Sequence, residues 1–336
     1  MSVRLSIVLQ QLPGVIVGFV FLVSAAATAE IRISENPDHA WLAPLASGSL
    51  LTAIDQVDDH VFTTGIHGHI LRAANNSLDS WQQADVPTQV LLNAIHMVDG
   101  QHGWAAGHDA VILKTSDGGS SWQKIFEAID EQRPLLDIWF SDADNGIAIG
   151  AYGYFLTTSD GGQTWQDRLV NEEHDYHLNA IDGDGAGNLY IAAESGYVYR
   201  SQDAGETWEA LDLPYEGSFF DIAVFNDTVV VVGLRGRVYI SEDAGENWRP
   251  VSTGVETALT AIDRLDSGHV IIAGHAGVVL LLDKQLKNVS LFRMPKRTAL
   301  SDIVLIDWRL VLAGEQGVST LDLCLIFNSK LFGECQ

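Results

Sequence analysis

Thr115-Ser-Asp-Gly-Gly-Ser-Ser-Trp122 recurs with small changes as Thr158-Ser-Asp-Gly-Gly-Gln-Thr-Trp165, Ser201-Gln-Asp-Ala-Gly-Glu-Thr-Trp208 and Ser241-Glu-Asp-Ala-Gly-Glu-Asn-Trp248. Each copy opens on a hydroxyl residue, places Asp117, Asp160, Asp203 or Asp243 two positions later, and closes on a tryptophan. A fixed phrase at a nearly fixed interval marks an array of equal structural units. The residue types describe one hairpin turn, in which the carboxylate accepts backbone amides, the glycine takes a positive φ and the hydroxyl ties the far side. The tryptophan then packs between units. One carboxylate per turn supplies too few oxygens for calcium, so an architectural role is expected.

Reading outward, seven units open on Leu51-Thr-Ala-Ile, Leu92-Asn-Ala-Ile, Leu135-Leu-Asp-Ile, Leu178-Asn-Ala-Ile, Phe219-Phe-Asp-Ile, Leu259-Thr-Ala-Ile and Leu300-Ser-Asp-Ile. Their starts lie 41, 43, 43, 41, 40 and 41 residues apart. That interval holds four short strands and their turns, the size of one propeller blade. The expected fold is therefore all-β, a seven-bladed β-propeller over residues 30–323. Within a unit the second strand ends at a Gly-x-x-Gly turn, as at Gly65 and Gly68 or Gly233 and Gly236; Ala110 and Ala193 each replace one of these glycines.

The last unit has no box after Val318-Ser-Thr-Leu321, whereas Ile31-Arg-Ile-Ser34, with Trp41 downstream, fits a box frame ahead of the first unit. This complementary loss and gain implies that the N-terminal segment supplies the outer strand of the final blade, since an open ring would leave unpaired sheet edges.

Residues 1–29 carry Arg4, an apolar run around Val15 to Val23, and Ala27-Thr28-Ala29, the pattern of an export signal with a small-residue cleavage site. A retained anchor is the alternative. The expected location is the periplasm. With 19 basic against 44 acidic residues and a net charge of −25, the chain is unsuited to nucleic acid or an anionic lipid surface. The two cysteines, Cys324 and Cys335, fit one disulfide pinning the tail in an exported protein, and no cysteine zinc site.

Propeller topology puts the Gly-x-x-Gly turns and the links between blades on one face and the boxes on the other. The turn face is where recognition is expected. Its inner turn residues differ from blade to blade and include His67, His108, Tyr152, Glu194, Arg235, His275 and Glu315, with Arg237 just beyond. His67, His108, His275 and Glu315 form a weak metal candidate without supporting local spacing. A glycoside hydrolase built on Tyr152, Glu194 and Arg235 is the competing enzymatic reading, as is a carbohydrate-binding propeller using the same face. The long links Glu127 to Arg133 and Asn171 to His177 are acidic, and Glu172, Glu173 and Asp175 with Tyr176 suit docking of a basic protein segment, with Tyr215 as a further aromatic contact.

Units of Leu-x-x-Ile, Gly-x-x-Gly, strand, then Ser/Thr-x-Asp-x-Gly-x-Thr-Trp resemble the photosystem II stability/assembly factor family of Asp-box (BNR repeat) propellers, over roughly residues 31–323. The resemblance implies a non-enzymatic scaffold that holds a membrane protein subunit through arginines on the ring face; a monomer without cofactor is expected. Only Arg235 and Arg237 stand at matching positions here. The expected function is an exported assembly or stability factor for a membrane or envelope complex.

Overall fold

The seven openings become seven inner strands, Leu51–Val57, Leu92–Met97, Leu135–Phe140, Leu178–Gly183, Phe219–Phe225, Leu259–Arg264 and Leu300–Ile306, in a computed structural model that describes residues 37–265 and 267–327. From each inner strand the chain runs outward in antiparallel order. Six sheets hold four strands in sequence order, and the seventh holds three among the described residues. The second strands, such as Gly146–Gly150, Leu189–Ala193 and Val270–Gly274, are buried at every position. They are covered by a blade on either side, which is why they read as continuous apolar runs without alternation. The molecule is a seven-bladed β-propeller.

Polar side chains of the inner strands clamp every junction around the ring. Asp302 of the last blade accepts the Ile54 N–H of the first at 2.8 Å, which closes the circle. Asp55 accepts from Met97, Asp137 from Ile181, Asp182 from Val224, Asp221 from Ile262 and Asp263 from Leu305, all backbone N–H donors of the next blade at 2.6–2.8 Å. The other oxygen of each carboxylate takes the N–H of its own following residue. Blade 2 has no such aspartate. There the Asn93 amide donates to Leu135 O at 2.7 Å, and His96 Nε2 meets Phe140 O at 3.1 Å.

At each box the hydroxyl and the carboxylate hold the hairpin from both sides. The Asp160 carboxylate accepts the Thr164 N–H and hydroxyl at 2.9 and 2.7 Å, while Thr158 Oγ1 donates to it and accepts the Gly162 N–H at 3.0 Å. The same bonds recur at Asp117 and Asp203, and at Asp243 the Asn247 side-chain amide replaces the hydroxyl donor. Hydrogen bonds from Thr164 hold the Asp160 carboxyl down to about 2, and those from Thr207 do the same at Asp203. Each box tryptophan packs back on the preceding blade: Trp122 joins Phe62 in one core cluster, Trp165 lies near Phe126, and Trp208 meets Phe155 edge to face at 5.8 Å.

A cation on the third strand of a blade ties it to the next. Arg72, Lys114 and Arg200 donate to Gly118 O, Gly161 O and Ala244 O, in each case the fourth residue of the following box. Arg200 is 7% exposed and also pairs with Glu209 and Glu246 at 2.8 and 2.7 Å. Arg200→Met should therefore lower stability by about 1–3 kcal/mol, because Glu209 and Glu246 lose their donor and Ala244 O keeps only the Tyr190 hydroxyl. Urea unfolding of the purified variant would show it; an unchanged midpoint would mean that the bridge carries no net energy.

The Gly-x-x-Gly turns need their two glycines for different reasons. Gly233 is extended at φ −168°, but a Cβ there would stand 2.1 Å from Ser218 O, so the requirement is close approach rather than left-handed backbone. Gly236 has φ +69° and packs equally tightly on Val255 O. Between them Arg235 sits at φ 57°, as Tyr152 does at φ 56° in its own turn. The two replacements fit this division: Ala193 is extended at φ −135°, and Ala110 carries a left-handed φ of 52°.

The leader, the Ile31 to Ser34 segment expected to complete the last blade, and Cys335, the expected partner of Cys324, lie outside the described residues. The chain that follows runs beside blade 1, with Ala40 N–H donating to Val86 O at 2.9 Å and Gln83 bridging Trp41 O and Ala43 N. Trp41 is 52% exposed, against 4% for Trp122. In place of a box, the last blade runs into a short helix, Leu323–Ile326, capped by Asp322 accepting the Cys324 N–H.

Candidate protein-docking face

The links press directly onto the turns, and this builds the face. Gly68 N–H donates to Val90 O, Gly153 N–H to Tyr176 O and Gly277 N–H to Thr298 O, each pairing a turn with the link leaving its own blade. Side chains on turns and links are thereby fixed relative to one another.

Tyr152 stands 58% exposed on blade 3, its ring edge to face with His177 at 4.8 Å. Asp175 and Tyr176 lie against the same turn, so the structure brings Tyr152 together with the acidic link of Glu172, Glu173, Asp175 and Tyr176. Arg235 and Arg237 form a separate group on blade 5. They line a cleft of ≈ 820 Å³ with Tyr215, Leu234, Leu213 and Pro214. The Arg237 guanidinium lies over the Tyr215 ring at 5.8 Å, and the Tyr215 hydroxyl is held by Leu234 O at 2.9 Å. Neither arginine has an acidic partner among the described residues, in contrast to Arg133, Arg168, Arg200 and Arg249. An arginine left without a carboxylate in so acidic a chain is available to an outside one.

The same sector extends beyond the residues singled out by sequence. Link residues Lys296 and Arg297 after blade 6 are exposed and without an acidic partner among the described residues, and Lys296 lines a second cleft of ≈ 380 Å³ against the last blade's turn. No sequence signal marks them, because Met294-Pro-Lys-Arg-Thr298 follows a sixth unit that has no Asp-box to set the frame.

The other candidates separate in space or in partners. Glu194 is bound by the His177 N–H at 3.0 Å and makes no hydrogen bond to Tyr152, while Arg235 belongs to the blade 5 cleft. No hydrogen bond or ion pair joins the three directly among the described residues, although His177 lies against both Tyr152 and Glu194. His67 packs on His69, whose burial, with the nearby His67, lowers its pKa to about 4. Among the described residues no three His, Cys, Asp or Glu side chains are grouped to hold a metal, and His108, His275 and Glu315 remain apart from such a cluster.

Strongly shifted acids do occur, but in the channel. Burial raises Asp137 to about 7, Asp182 and Asp263 to about 6 and Asp302 to about 8, and lifts Asp55 and Asp221 as well. Such shifts commonly flag catalytic groups. Here both oxygens of every carboxylate already accept backbone N–H donors, so the acids belong to the blade junctions. Each keeps a partly accessible edge, which tempers the shift without changing its direction.

The family model described as photosynthesis system II assembly factor YCF48 matches residues 73–133 and 125–282, more than half of the chain. The chain belongs to this family. Curated relatives align over one stretch only: the photosystem II assembly lipoprotein Ycf48 of Trichormus variabilis is 33% identical over 67 residues, 20% of either chain. The photosystem II assembly protein Ycf48 of a Synechococcus strain is 38% identical over 66 residues, 19% of this chain and 20% of its own. The matched stretch thus spans about a fifth of the length of these relatives. Among solved structures, YCF48 bound to D1 peptide superposes with a TM-score of 0.68 at 17% identity, covering 87% of this chain and 98% of the other. YCF48 from Cyanidioschyzon merolae gives 0.65 at 15% identity over 82% and 96%. A WD40 β-propeller domain of Doa1 gives 0.67 at 13% identity over 82% and 93%, so the superposition speaks for the fold alone.

Proposed function

We propose that the protein is a non-enzymatic, exported scaffold that binds a membrane or envelope protein on its turn face and acts as its assembly or stability factor. The observation that carries the reading is the blade 5 cleft, where Arg235 and Arg237 stand without acidic partners beside Tyr215 and Leu234. Arginine and tyrosine around an apolar rim are the side chains that dominate protein recognition sites. A family relative solved with a D1 peptide supports peptide binding by this type of propeller. Carboxylates of the partner would meet the two guanidiniums, with Tyr152 a further contact two blades away. The leader at residues 1–29 sets the compartment, and the protein acts as a monomer without cofactor.

Site-specific photocrosslinking in the producing cells tests this. A benzophenone side chain at position 235 or 152 should yield one discrete protein adduct, lost in Arg237→Glu, and the same group at Gln163 on the box face should yield none. Equal adducts from both faces, or turnover of aryl glycosides abolished by Glu194→Gln, would defeat the scaffold reading.

A further inference from the structure

Four rings gather on the turn side of blade 4, whose turn at Gly196 packs on Tyr215 O at the edge of the arginine cleft. His174 stacks on Tyr176 at 4.7 Å and lies 4.9 Å from Tyr197, Tyr176 is 5.4 Å from Tyr197, and Tyr197 stacks over Tyr199 at 6.1 Å. The cluster has unmet polar capacity. His174 Nδ1 is buried without a hydrogen-bond partner. The hydroxyls of Tyr176, Tyr197 and Tyr199 have no protein hydrogen-bond partner among the described residues, and unlike His174 Nδ1 they reach solvent.

Charge around the rings is one-sided. Glu172, Glu173 and Asp175 are exposed on the link that carries His174 and Tyr176, and none of them has a lysine or arginine partner among the described residues. The buried cation of blade 4, Arg200, is committed to Glu209, Glu246 and Ala244 O. Electron-rich ring faces bordered by free carboxylates, with no cation of the protein's own, form a site for a cation from outside. A planar guanidinium suits it better than an ammonium, because it can stack on a tyrosine face while its N–H fork engages a carboxylate and a hydroxyl.

We infer that the surface formed by His174, Tyr176 and Tyr197 with the acidic link is a subsite for an arginine side chain of an extended segment of the partner protein. This rests on the scaffold reading and adds to it a second, oppositely charged contact. The partner segment then carries arginine over blades 3 and 4 and carboxylates toward blade 5, and the two contacts fix its direction across the face.

The test uses the purified protein and two fluorescent peptides, acetyl-Gly-Ser-Arg-Gly-Arg-Ser-Gly amide and the same peptide with citrulline for arginine, by anisotropy at low salt. The arginine peptide should bind about 5- to 30-fold more tightly than its neutral isostere. That preference should vanish in Tyr176→Leu and in the Glu172→Gln, Glu173→Gln pair, and survive Arg235→Glu. Circular dichroism melts confirm that each variant is folded. Equal binding of both peptides, or a preference retained in folded Tyr176→Leu, overturns the subsite. If the crosslink from position 235 persists in that case, the scaffold reading stands without it; if the crosslink is also absent, both fall.

Discussion

Asp302→Ala should lower the unfolding free energy by about 2–6 kcal/mol, a large share of the total for a domain of this size. The variant removes the acceptor of two inner-strand N–H groups, Ile54 and Ile303. Each costs about 1–3 kcal/mol when stranded. The site also joins the last blade to the first, so the lost bond is the one that closes the ring. Asp302→Asn separates the contributions, because its amide keeps one acceptor oxygen and no titrating proton; it should recover part of the loss. Urea unfolding followed by tryptophan fluorescence measures both variants. Asp302→Ala with wild-type stability would show that apolar packing between the blades closes the ring unaided.

The contrast between what the sequence announced and what it concealed is a contrast between local and distant chemistry. A box is legible because Thr158, Asp160, Gly162 and Thr164 satisfy one another within a few residues, so their types and spacing are fixed together. The inner-strand openings are legible for a similar reason, since each buries its leucine or phenylalanine at the same point of the blade. The clamps are hidden because each acts on a distant blade, 41–44 residues away for five of them and 248 for Asp302, and occupies either of two positions. Asp137, Asp221 and Asp302 stand two residues after the opening residue, and Asp55, Asp182 and Asp263 stand four after it. Every blade but the second has one or the other, a signal visible only when both positions are read as equivalent. The candidate site was legible only in part. Arg235 and Arg237 were found from their turn, but the aromatic cluster depends on Tyr197 and Tyr199 of a third strand meeting a link twenty residues earlier, and no local pattern reports that encounter.

Stability should be greatest near pH 4 to 5 and fall by several kcal/mol as the pH rises to 8, the reverse of a protein held by exposed ion pairs. Asp137, Asp182, Asp263 and Asp302 have folded-state pKa values of about 7, 6, 6 and 8, raised by burial above the ordinary aspartate value of 3.8, and Asp55 and Asp221 are raised too. Between the unfolded and folded values the native state holds more protons than the unfolded chain, so stability drops with each step up in pH and levels off above the highest folded value. A tenfold difference in proton affinity between the two states corresponds to roughly 1.4 kcal/mol, before allowing for the channel-facing edge of each carboxyl. The box acids act in the opposite sense. Asp160 and Asp203, held down to about 2, stabilise the fold above the ordinary carboxylate range, and that contribution is lost as pH falls from about 4 to 2. The two sets together place the maximum where the channel acids are still protonated and the box acids are already ionised. Urea midpoints from pH 3 to 9 test this, and Asp302→Asn should flatten the alkaline limb. A midpoint that climbs steadily from pH 5 to 8 would mean that the channel carboxyls are ionised in the native protein, and that their two backbone donors outweigh burial and mutual repulsion.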